Sequence, residues 1–152
     1  MLRCCRIAVL AAALPQAAAQ QALSVTPVAP LAFGRFAAGT GGQVTISAGG
    51  VRTASGGVVL LSSAGGSPAQ FSLAGEPHAA YSIGLPADGS VVLTNAAGHT
   101  MPVQSFFSSP SGSGQLGPGG TQTMSVGASL GVAAGQRVGN YSGSFQVFLN
   151  YN

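Results

Sequence analysis

Beyond residue 19 the chain offers few side chains suited to proton transfer near neutrality: Glu76, His78, Asp88 and His99. General acid–base catalysis needs such groups within hydrogen-bond reach of the proton they move, and this is a thin supply. Glu76-Pro77-His78 brings two potential metal ligands together. A closed metal site takes about four, and a proline-containing stretch between apolar runs reads as a solvated turn. Gly127-Ala128-Ser129-Leu130-Gly131 has the G-x-S-x-G spacing of a nucleophile elbow. That chemistry requires a strand-to-helix turn with an acid and a histidine brought to the serine, and no helical pattern follows here. Gly112-Ser113-Gly114-Gln115-Leu116-Gly117 has the G-x-G-x-x-G spacing of a dinucleotide loop, but Pro110 and Pro118 bracket it where a strand and a helix are needed. Asn140-Tyr141-Ser142 is an acceptor sequence for N-glycosylation. These residues predict a protein that is not an enzyme and holds no cofactor or metal.

The N-terminus has the order of a secretory signal. Met1 to Arg6 is short and basic, Ile7 to Leu14 is apolar, and Ala17-Ala18-Ala19 supplies small residues for cleavage. The apolar run is too short to span a bilayer, which takes about 20 residues. Both cysteines, Cys4 and Cys5, lie in this segment, so the exported chain is expected to start near Gln20 and to form no disulfide. From there to Asn152 the charges are Arg35, Arg52 and Arg137 against Glu76 and Asp88, a net of +1. That balance lacks the basic footprint of a nucleic-acid binder. No later run is long and apolar enough for a transmembrane helix. The expected location is the periplasm, then the cell surface or the medium.

The rest of the chain has strand periodicity. Short apolar alternations are separated by clusters drawn from the 24 glycines, which predicts an all-β, immunoglobulin-like antiparallel β-sandwich of about eight to ten strands. Strands are expected over residues 43–48 and 51–55 as a hairpin. Residues 58–61 should be buried on both faces. Further strands are expected over 69–74 and 80–85, and over 90–95 as the hairpin partner of 80–85 through Asp88-Gly89. Strands over 101–108 and 121–132 follow. Residues 108–120 read as a long surface loop. Phe71, Tyr81, Phe106, Phe145 and Tyr151 are expected in the core, with Phe107 and Phe148 on the opposite parity. Residues 20–30 alternate too, but Pro27 and Pro30 cannot donate ladder bonds, so this segment reads as an N-terminal arm or edge strand before a domain of residues 31–152.

The clearest alternation is at the C-terminus, where Tyr141, Gly143, Phe145, Val147, Leu149 and Tyr151 share one parity. It predicts a single strand with one buried face. The stretch resembles the C-terminus of chaperone–usher pilins, with Tyr151 penultimate, Gly139 fourteenth from the end, and Phe145, Val147 and Leu149 alternating before it.

A second likeness covers nearly all of the exported chain. Leu31-Ala32-Phe33-Gly34, Gly39-Thr40-Gly41-Gly42, Val44-Thr45-Ile46, Gly75-Glu76-Pro77, Tyr81-Ser82-Ile83, Leu85-Pro86, Val126-Gly127-Ala128-Ser129-Leu130 and Gly139-Asn140-Tyr141-Ser142-Gly143 occur in that order. In this the chain resembles a bacterial secreted family catalogued as domain of unknown function 4402, itself similar to spore coat protein U-type and pilin-like subunits. The resemblance implies a structural subunit of a pilus or surface coat. A periplasmic chaperone, an outer-membrane usher and identical or related subunits would be its partners. Assembly would proceed by strand addition: Gly139 and Tyr141 to Tyr151 would line an acceptor groove, and Leu23 and Val25 would be the donor side chains. A second reading open at this point is a self-contained secreted adhesin or binding module with an intact sandwich and a ligand surface on its loops, and a third is a small outer-membrane barrel, whose strands should run about 9–11 residues.

Overall fold

A computed structural model describes residues 20–61 and 65–152. The signal-peptide reading of residues 1–19 lies outside the described residues. The described chain is all β, with twelve strands: β1 Ser24–Ala29, β2 Phe36–Ala37, β3 Gly42–Ile46, β4 Arg52–Gly56, β5 Val59–Leu60, β6 Ala69–Ala74, β7 Ala80–Gly84, β8 Val91–Thr94, β9 Thr100–Ser109, β10 Ser113–Gln115, β11 Thr121–Val132 and β12 Phe148–Tyr151. Every pairing is antiparallel. This is the antiparallel β-sandwich that the short alternations predict. No helix among the described residues is long and apolar enough to cross a membrane.

β11 organises the larger sheet. Its first half, Thr121 to Val126, pairs with β6, and its second half, Ala128 to Val132, pairs with β3. β9 pairs with residues 125–130, overlapping both, so β9 holds one edge of β11 while β6 and then β3 share the other. β1 extends the sheet beyond β6, β4 beyond β3, and β8 beyond β9. A smaller sheet, β10-β7-β12, and a two-stranded ribbon, β2-β5, complete the sandwich.

Even-numbered residues of β11 point inward, and Met124, Val126, Ala128, Leu130 and Val132 are buried. They divide between two apolar clusters. Val44, Ile46, Met101, Val103, Ala128 and Leu130 centre one, and Leu73, Tyr81, Leu116, Met124 and Val126 the other. Leu31 and Phe106 pack against both and join them. Gly127 lies at the handover, where a side chain would run into the Ile46 carbonyl and the Phe107 ring.

Several expectations are corrected. β8 pairs with β9, not with β7. The Asn95 carboxamide closes that hairpin by accepting the N–H groups of Ala97 at 3.1 Å and His99 at 2.9 Å, whereas the Asp88 carboxylate accepts the Ser105 N–H. A side chain that bonds its own backbone a few residues on is a turn in itself. Residues 108–120 are not all loop, because β10 pairs with β7 and Leu116 is fully buried between the layers. The 58–61 run is not buried on both faces. Only Val58 is buried and Leu60 is half-buried against the core, while Val59 and Leu61 alternate outward and are exposed. Of the two readings for residues 20–30, arm or edge strand, residues 24–29 take the second, as an edge strand of the main sheet with a register shift between Pro27 and Ala29.

Tyr81 is completely buried, and its hydroxyl donates to Gln122 Oε1 at 2.6 Å. Desolvation raises its pKa above the usual tyrosine value. A raised folded-state pKa means that the unfolded chain loses this proton first. The stabilisation is therefore complete below pH ~10 and is lost as pH rises through the folded-state pKa. Stability measured by urea unfolding should fall above pH ~10. In Tyr81→Phe the part of that fall due to residue 81 should vanish, at the cost of one buried hydrogen bond at neutral pH. An unchanged alkaline slope in the variant would assign the fall to other groups.

Candidate functional site: an apolar groove between the chain ends

Residues 27–38 and 136–145 do not close against each other. A groove of about 1130 Å³ runs between residues 27–38 on one wall and 136–145 on the other. Phe71, Leu93, Met101, Val103, Phe106 and Leu130 contribute its floor. These are core side chains of β6, β8, β9 and β11, so the groove opens onto the join between the two apolar clusters.

The C-terminal wall keeps its period but not its ladder. Phe145, Val147, Leu149 and Tyr151 are half-buried, while Gln146, Phe148 and Asn150 are exposed, as alternation predicts. Only Phe148 to Tyr151 pair as a strand, with β7. Upstream, Ser142 makes an isolated bridge to Thr94 on β8, through main-chain bonds of 2.9 and 3.1 Å. Among the described residues, the backbone of Gly143 to Val147 makes no hydrogen bond to another main-chain group. The expected continuous strand from Tyr141 is thus interrupted, because its first part leans on β8 and its last part on β7.

The predicted site residues fall into two groups. Phe145, Val147, Leu149 and Tyr151 meet Leu23 and Val25 around one apolar cluster, and Tyr141 packs on the other. Phe145 makes an edge-on contact with Phe71, ring centroids 6.2 Å apart, and a tilted contact with Phe106 at 5.3 Å. The Tyr141 hydroxyl donates to the Arg137 carbonyl at 2.7 Å and accepts from Gln136 Nε2 at 2.9 Å, which braces the start of the wall. Gly139 has φ +155°, and a side chain there would crowd the Asn95 carboxamide. Leu23 and Val25, read as donor side chains, are docked in their own chain, where β1 is laid against β6.

Tyr151 ties the two ends of the chain together. Its hydroxyl donates to the Gln21 carbonyl at 2.6 Å and accepts the Glu76 N–H at 2.8 Å. The Gln21 N–H in turn donates to Glu76 Oε2 at 3.1 Å. Tyr151→Phe keeps the ring and removes both hydroxyl bonds, so it should destabilise the fold by about 1–2 kcal/mol. Faster hydrogen exchange at residues 21–26 should accompany it, and unchanged exchange there would show that the tether holds nothing.

The residues first considered for chemistry lie elsewhere. Glu76 and His78 occupy the exposed turn between β6 and β7, and His99 the β8–β9 turn. Ser129 is buried in β11, sharing a 2.8 Å hydrogen bond with Thr45. Residues 113–115 of the G-x-G-x-x-G stretch are β10. Asn140 is exposed on the groove wall. What the sequence did not reveal is the facing wall. Arg35 from one side and Arg137 from the other also line the groove, and no periodicity relates residues about a hundred positions apart.

Searches of curated proteins and of solved structures find no significant match to the chain. A family model does match, over residues 23–151, from β1 and its leading leucine to the penultimate tyrosine that ties the chain ends, and the chain therefore belongs to the family described as a domain of unknown function, DUF4402.

Proposed function

We propose that the chain is a non-enzymatic, exported structural subunit of a pilus or cell-surface coat, assembled by β-strand addition to the groove. The observation that carries this reading is the C-terminal wall: Gly143 to Phe145, which among the described residues make no main-chain hydrogen bonds, stand beside an open apolar floor. An added strand gains main-chain hydrogen bonds along such a wall while its alternate side chains fill the floor. A periplasmic chaperone would cover the groove first, and an usher and related subunits would act later in export and assembly.

The cis docking of β1 on β6 favours a second reading, a self-contained secreted binding module. The two separate on the cell that makes the protein. A strand-added subunit should be recovered from sheared surface material in multimers that resist detergent and collapse to monomer on heating, because dissociation must break a strand pairing. Recovery solely as a free monomer in the medium would sink the subunit reading and leave the binding module.

A further inference from the structure

The groove has a charge pattern as well as a shape. Arg35 lines one wall and Arg137 the other, and both are exposed. The sequence has two carboxylate side chains, Glu76 and Asp88, and neither lines the groove. Both are engaged at turns, where Glu76 accepts the Gln21 N–H and Asp88 the Ser105 N–H. An apolar trough with a guanidinium on each wall and no acid favours an occupant that is apolar at its centre and anionic at its flanks.

The chain's own N-terminal strand does not have that character. Residues 20–31 contain no Asp or Glu, and Pro27 and Pro30 lack the N–H that a ladder requires. Gln21 is tied by Tyr151 and Glu76, and Leu23 and Val25 are seated in their own core. Resting on the strand-addition reading above, we infer that the strand this groove takes comes from a different polypeptide, an extended segment with alternating apolar side chains flanked by carboxylates, and not from the N-terminus of a second copy. The charges at the rim then select the partner and set its register, while the backbone of Gly143 to Phe145, unpaired among the described residues, holds it.

Three peptides test this against the purified chain of residues 20–152. Two share one alternating apolar core and differ only in Glu or Gln flanks; the third is residues 20–33 of this chain. Fluorescence anisotropy should show the Glu-flanked peptide binding about tenfold tighter than its Gln twin at low salt, with the advantage gone at ~0.5 M salt. The double variant Arg35→Gln/Arg137→Gln should remove the advantage at every salt concentration, and Arg35→Lys/Arg137→Lys should retain most of it. Both positions are exposed, and thermal unfolding of the variants should match the parent. The 20–33 peptide should bind no better than the Gln-flanked one. Equal affinity of the Glu and Gln peptides, or tightest binding of the 20–33 peptide, would overturn the inference while leaving strand addition standing. Failure of all three to bind would overturn both.

Discussion

Gly127→Ala should destabilise the protein by about 3–4 kcal/mol or more, a large share of the stability of an ordinary domain. The reason is space, not backbone freedom. A methyl group at this point of β11 would stand 2.8 Å from the Ser47 carbonyl carbon and 2.6 Å from the Phe107 ring, and closer still to the Ile46 carbonyl oxygen. The phenyl ring can turn away, but the β3 backbone cannot move without breaking the Ala128–Ile46 pairing that begins the β3–β11 ladder. Gly127 is also where the β9–β11 register slips before Ser129, so the bulged pair has no slack to share. Gly119→Ala is the control, since no atom lies within 4 Å of where its methyl would go; it should stay within about 0.5 kcal/mol of the parent. Urea unfolding of the two variants decides the matter. A Gly127→Ala protein as stable as Gly119→Ala would mean that the β11 crossover is looser than its geometry implies.

Gly127 also shows where sequence reasoning reached its limit. Its surroundings, G-A-S-L-G, match a catalytic spacing, yet the first glycine is there to let two strands cross and the serine to bond Thr45. Local periodicity was legible: β3, β4, β6, β7, β9 and β11 fall close to their expected positions because alternation reports directly on which side chains face the core. Pairing was not legible, because it depends on which turn closes. Asp88-Gly89 and Asn95 are both turn-formers, and the one whose carboxamide caps its own turn took the hairpin. The buried Leu116 was hidden for another reason: one apolar residue amid Ser, Gly and Pro has no period to display. The candidate site was half legible. The C-terminal wall carried its own alternation, whereas the facing wall of residues 27–38 owes its place to tertiary folding.

The C-terminal wall supplies the second large effect. Phe145→Ala should cost about 2–3 kcal/mol, somewhat under the range for a fully buried phenylalanine because this ring is half-buried at the groove. It removes both aromatic contacts, to Phe71 and to Phe106, and these are what press residues 143–147 onto the sandwich in the absence of a ladder. The loss should therefore be local as well as global. Hydrogen exchange at residues 143–147 should quicken more than at β11, whose pairings to β3, β6 and β9 remain intact. The same deletion should weaken capture of an added strand at least tenfold, since the floor loses a ring and the wall loses its set position. Phe145→Leu separates these causes: it restores apolar volume and most of the stability but not the aromatic contacts, so strand capture should recover only in part. If Phe145→Ala melts like the parent and captures a strand equally well, the wall is held from elsewhere, with the Ser142–Thr94 bridge the remaining anchor upstream. The groove would then be a surface crease and not an acceptor.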